Sequence, residues 1–213
     1  MNYINIHSHN RTKSDVFGIV NSNKIDNNGY YSIGIHPWDI NNKEIDYRKI
    51  DEDVKNSNVL AIGEIGLDRA IETDIESQKQ VFLTQLNIAK QANKPIIIHC
   101  VRAYSDFQQI VKQNSYTYIF HGFNTNITIA NYLINNGSYL SFGKELMVNT
   151  KLQNTFKKLP INKIFFETDE SDVNIKDIYT FAAKLLNINL QELQNVIQSN
   201  FKKVFDIDVR KLA

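Results

Sequence analysis

Each of the five histidines in this 213-residue chain stands at or just past the end of an apolar run. His7 and His9 close Tyr3-Ile4-Asn5-Ile6, His36 follows Ile33-Gly34-Ile35, His99 follows Ile96-Ile97-Ile98, and His121 follows Tyr118-Ile119-Phe120. Two acids behave likewise. Glu64 comes after Leu60-Ala61-Ile62-Gly63, and Asp169 after Phe165-Phe166-Glu167-Thr168. Side chains two apart on a strand share a face, so His7 and His9 point the same way, about 7 Å apart along the backbone. Imidazoles and carboxylates are ligands for divalent metal ions. A surface pair would account for His7 and His9 alone, and polar residues that begin where strands stop would account for one or two more. Neither accounts for a set that includes every histidine, so the pattern predicts a metal site.

Such a site needs elements that bring the strand ends together. Eight strand-like runs are visible: Tyr3–Ile6, Val16–Val20, Tyr31–Ile35, Val59–Ile62, Ile96–Ile98, Tyr116–Phe120, Tyr139–Phe142 and Ile164–Phe166. Helical spacing follows most of the later ones. Thr73 with Glu76 forms a capping box ahead of Val81, Phe82, Gln85, Leu86, Ile88, Ala89 and Ala92. Phe107, Ile110 and Val111 mark a second helix. Ile127 to Ile134 marks a third, stopped by Gly137, and Leu152, Phe156 and Leu159 a fourth. Ile178 to Leu186 makes a fifth, and Asn189 with Glu192 opens a last one through Phe201. A further helix is expected at about 46–56. Between the first three strands there is little room for helices. The expected fold is α/β: a (β/α)8 TIM-type barrel over residues 1–213, one domain, trimmed in its first βα units. Its active site is expected at the carboxyl ends of the strands.

Composition bounds the function. The chain is 42% hydrophobic and 22% charged, which suits a sizeable core. A net charge of +1 advertises no general electrostatic grip on nucleic acid, so anion binding must be local. One cysteine rules out an internal disulfide and points to a reducing compartment. No apolar run approaches a membrane span, and the amino terminus enters a strand directly, without the regions of a signal peptide. A cytoplasmic protein with no membrane association and no evident obligate protein partner is expected.

The ordered blocks His7-Ser8-His9, Gly34-Ile35-His36-Pro37, Gly63-Glu64-Ile65-Gly66-Leu67-Asp68, Ile98-His99, His121-Gly122-Phe123 and Glu167-Thr168-Asp169 span almost the whole chain. In them the chain resembles the TatD-like metal-dependent hydrolases. The resemblance implies metal ligation by His7, His9, Glu64, His99, His121 and Asp169, and a phosphodiesterase or deoxyribonuclease activity with nucleic acid as substrate. Six such ligands exceed the need of one tetrahedral ion and suit two divalent ions, zinc, manganese or magnesium. Glu64, in the middle of the strand order, is the expected bridge. His7, His9 and Asp169 would hold one ion, and His99 and His121 the other. A metal-activated water would attack phosphorus, with Asp169 as general base. The same water would serve a small amide or ester, which is the alternative substrate class.

Around that set, His36, Arg69 and Arg102 are the expected substrate contacts, the arginines because a guanidinium fork matches phosphate oxygens. Asp68 is a candidate to orient a histidine. Trp38, Tyr104 and Phe123 are candidates to stack on a base. Cys100, next to His99, should face away from the site. The chain departs from the family pattern at Arg11, where an Asp is common, and in a shorter stretch between His9 and His36. It also departs at Arg102, displaced from the position after His99, and at Ser171, where a proline is common. All four lie on loops that would meet the substrate.

Overall fold

In a computed structural model, which describes residues 2–40, 45–113 and 116–211, the eight apolar runs become eight strands. They are β1 (Tyr3–Ser8), β2 (Val16–Asn21), β3 (Tyr30–Ile33), β4 (Val59–Asp68), β5 (Ile96–Val101), β6 (Tyr118–Phe120), β7 (Tyr139–Phe142) and β8 (Ile164–Phe166). All are parallel and ordered as in the sequence. The ends of the sheet meet at Ser8 and Asp169. There the His9 amide donates to the Asp169 carbonyl and the Asp169 amide to the His7 carbonyl, each at 3.1 Å. The result is a nearly closed (β/α)8 barrel. Parallel strands covered on both faces must be apolar on both, which is why they read as continuous runs. Ile4, Ile6, Ile62, Ile97, Ile119 and Phe165 are wholly buried.

The helices are α1 (Tyr47–Asp53), α2 (Ile75–Gln91), α3 (Tyr104–Gln113), α4 (Ile127–Asn135), α5 (Glu145–Val148), α6 (Thr150–Phe156), α7 (Ile175–Leu186) and α8 (Leu190–Phe205). Three details differ from the sequence reading. The cap of α2 is Asp74, not Thr73: its carboxylate accepts from the Ser77 amide at 3.0 Å. An ionised acceptor is favoured at a helix N-terminus. The four residues of α5 are too few to show a period. And β4 runs on to Asp68 instead of stopping at Ile62.

Among the described residues no helix follows β1 or β2. The connections 9–15 and 22–29 are shorter than the dozen or more residues of a helical crossover. The last two helices cover the strands left bare. Tyr179 of α7 donates its hydroxyl to the Ile4 carbonyl at 2.9 Å and accepts from the Ile4 amide at 3.2 Å. Phe201 of α8 meets Phe17 of β2 edge-on, with ring centres 5.0 Å apart. No helix among the described residues is long and apolar enough to cross a membrane.

Candidate metal centre

The pairing of β4 with β5 holds at Ile62 and Ile96, then shifts, and resumes at Ile65 with Ile98 and Gly66 with His99. Glu64 sits within that irregularity, its amide donating to Asn21 Oδ1 at the end of β2 (2.9 Å). A bulge re-aims a side chain, and here it accompanies a 4% exposed carboxylate facing five imidazoles. Beside it, any β-carbon on Gly66 would overlap the His99 carbonyl oxygen. Only glycine lets the two strands meet there.

The two oxygens of Glu64 serve different neighbours. Oε2 lies 3.3 Å from His7 Nε2 and 3.5 Å from His9 Nε2, and Asp169 Oδ1 lies 3.4 Å from both of these nitrogens. Oε1 lies 2.6 Å from His99 Nδ1, 2.5 Å from His121 Nε2 and 3.4 Å from His36 Nε2. His7, His9, Glu64 and Asp169 could hold a metal ion, as could His36, Glu64 and His99. The donor chemistry fits. Nε2 of the wholly buried His7 has no hydrogen-bond partner although two carboxylates stand near it. The 3.3–3.5 Å separations in the first set match the edge of a tetrahedron with ligand bonds of about 2.0–2.1 Å, which is about 3.3–3.4 Å.

Partners behind these donors fix their orientation. His99 Nε2 faces Asp68 Oδ2 at 3.2 Å, leaving Nδ1 for the centre. Asp68 is itself held by the Trp38 indole (2.8 Å) and the Ala70 amide (2.8 Å). His121 Nδ1 lies 3.5 Å from Glu167 Oε1, which accepts from the Gly122 amide at 2.5 Å. Asn5 and Thr168 exchange hydrogen bonds of 2.7 and 3.0 Å across the seam beside Asp169. Gln85 of α2 clamps both backbone groups of Ile35, next to His36. Glu167, Asn5, Asn21 and Gln85 were not expected from the sequence. Only Glu167 carried a signal, as an acid within Glu167-Thr168-Asp169. Asp169 has φ 53°, a left-handed conformation that Asp tolerates better than most residues, and it marks a functional turn.

His36 differs from the other four histidines. Its Nδ1 accepts from the Trp38 amide at 3.2 Å. With Nδ1 engaged there, Nε2 is the nitrogen that faces the centre, 3.4 Å from Glu64 Oε1.

The close approach of carboxylates and imidazoles lowers the former and raises the latter. Burial raises Glu64, but His121, His36 and His7 outweigh it and hold the carboxyl far below the usual range. Asp169 is lowered in the same way, against its burial, by His7 and His9. His9 is raised to about 10, first by Asp169 and then by Glu64. Burial and the neighbouring His121 pull His7 down, yet Asp169 and Glu64 leave it raised. His121 is raised against its burial by Glu64 and Glu167.

These groups open on a cavity of about 420 Å³ whose lining includes His9, His36, Trp38, Glu64, His99 and Asp169. The two arginines expected to grip substrate do not line it. Arg69 Nε and Nη2 are engaged by the two oxygens of Asp106 at 2.8 and 2.9 Å, so its fork is occupied. Arg102 is exposed, with φ 53°. Of the three aromatic candidates Phe123 is buried at 1% and Tyr104 packs on Phe120 and Phe123, whereas Trp38 is 59% exposed. Cys100 packs against the core, and burial pushes its thiol up.

The chain is similar to known proteins. YabD of Bacillus subtilis, an uncharacterized metal-dependent hydrolase, is 30% identical over 199 residues, which is 84% of this chain and 78% of that protein. YcfH of Escherichia coli K12, also described as an uncharacterized metal-dependent hydrolase, is 26% identical over 205 residues, 87% of this chain and 77% of its own. The crystal structure of YjjV, a TatD homolog from Escherichia coli K12, superposes with a TM-score of 0.84 at 19% identity, covering 97% of this chain and 98% of that one. The model of the TatD related DNase family matches residues 4–206. The chain belongs to that family and is a metal-dependent hydrolase.

Proposed function

We propose that the protein hydrolyses phosphodiester bonds at nucleic-acid ends, with two divalent ions held on either side of Glu64. The observation that carries this reading is that Oε1 and Oε2 of one carboxylate face separate donor sets. His7, His9 and Asp169 complete one set, and His99 and His121 the other. Zinc suits so many imidazoles, while the carboxylates also admit manganese or magnesium. Divalent ions at such a centre lower the pKa of water and withdraw charge from a phosphoryl oxygen. Asp169, 43% exposed beside His9, is placed to accept the proton of the attacking water. His36 offers its Nε2 proton to a non-bridging oxygen, and Asp68 and Glu167 hold His99 and His121 in the required tautomers. Arg102, exposed on the turn before α3 and outside the cavity lining, is the remaining arginine for phosphate. We also read the 213 residues as one domain that acts in the cytoplasm, in keeping with its single cysteine.

A small amide or ester substrate is the second reading. It is favoured by the cavity lining, which among the described residues includes no lysine or arginine. The deciding experiment reconstitutes the protein with zinc, manganese or magnesium. It then offers single-stranded DNA, RNA and small phosphodiesters beside an ester and amide panel. Phosphodiester cleavage that stops with a chelator supports the first reading. Cleavage confined to esters or amides transfers the chain to the second. Loss of most bound metal in Glu64→Ala is expected under both, and full retention removes Glu64 from the centre.

A further inference from the structure

Trp38 is the only tryptophan in the chain and the most exposed aromatic ring described at the mouth of the cavity. A large apolar ring left 59% exposed in a catalytic cavity needs a reason, because burying it would be favourable. It is not loose. Its indole N–H is fixed on Asp68 at 2.8 Å, the same carboxylate oxygen that faces His99. His36 and His99 approach it at 90° and 75°, so neither stacks parallel on it. Trp38 also walls a second cavity, of about 630 Å³, lined on its apolar side by Ile33, Ile35, Ile45 and Ile50. Asp39, Asp46 and Asp53 share that second lining, the last two paired with Arg48 and Lys49. Among the described residues that lining holds no unpaired positive charge for another phosphate.

The geometry points to Trp38 as a stacking platform for the nucleobase of the terminal nucleotide, next to the scissile phosphate. The inference deepens the phosphodiesterase reading and rests on it. Base and indole present flat π-faces to one another, a contact that tolerates any base. The fixed indole needs no ordering on binding. Among the described residues no unpaired cation lines the cavity beyond Trp38, which assigns that side to a base that ends the strand.

Because Trp38 is the sole tryptophan, its fluorescence reports on this ring alone. The probes are deoxyadenosine monophosphate and deoxyribose 5-phosphate, titrated into zinc-loaded and into metal-free protein. The nucleotide should quench the emission saturably and bind about 5- to 150-fold more tightly than the sugar phosphate, the range for stacking one base. Trp38→Phe and Trp38→Leu both lose the indole N–H, but only the first keeps a ring. By calorimetry the phenylalanine variant should retain most of the base preference and the leucine variant none, with zinc content equal in the two. Equal binding of the two probes by wild-type protein that still cleaves oligonucleotides would overturn the platform and leave the reaction standing. A base preference in a protein that cleaves no phosphodiester would leave the platform standing and remove the reaction. Identical behaviour of the two variants would also overturn the inference.

Discussion

Asp68 Oδ2 lies 3.2 Å from His99 Nε2, on the opposite side of the ring from the 2.6 Å contact of Nδ1 with Glu64. A carboxylate behind an imidazole fixes its tautomer and raises its basicity towards a metal. Asp68→Ala should therefore weaken metal binding by about 10- to 100-fold, the usual loss for such a partner. Competition against a chelator of known affinity reads this directly. Unchanged affinity would make Asp68 a support for the loop alone.

Proton uptake sets the pH dependence of metal binding. His9 is raised to about 10 in the metal-free protein, chiefly by Asp169 and then by Glu64, so near pH 7 its imidazole carries a proton that metal must expel. Affinity should then rise with pH. Calorimetry at pH 7 in buffers of different ionisation heat should show net proton release, and none would contradict the charge state. The same shift has a sign for stability. A histidine raised on folding stabilises the metal-free protein fully below its unfolded value near 6.5. That contribution is lost as pH rises towards 10. Melting of the chelated protein should fall over that window through this group.

The first strands depend on the end of the chain for cover. Phe201 is wholly buried against Phe17 and stacks on Phe205, with ring centres 4.3 Å apart. Phe201→Ala should cost about 3–5 kcal/mol, as for other large core truncations. Urea unfolding measures it. A loss below about 1 kcal/mol, the scale of an ordinary substitution, would show that β2 is covered in some other way.

Cys100 adjoins His99 but should be chemically quiet. Burial pushes its thiol well above the usual value, and the thiolate is the reactive form. Alkylation at pH 8 should be far slower in native than in urea-unfolded protein. Equal rates would place the thiol in solvent.

The sequence by itself determined the strand set and the residue types of the candidate metal centre. Apolar runs that end in His7, His99, His121 or Asp169 are local, and the parallel barrel follows from their alternation with helices, because each strand must be buried on both faces. Tertiary structure decided what depends on distant chain segments meeting. Arg69 looked free until folding brought Asp106 to its fork. Asp68 acquired the Trp38 indole as a partner only when folding brought the two within 2.8 Å. Glu167 acquired a partner only when β6 and β8 placed it behind His121. Glu64 lies within β4, and not beyond it, because pairing with β5 resumes at Ile65 and runs on to Asp68. A side chain's type is written in the sequence, whereas its hydrogen-bond partner depends on which segments the closed barrel brings within about 3 Å.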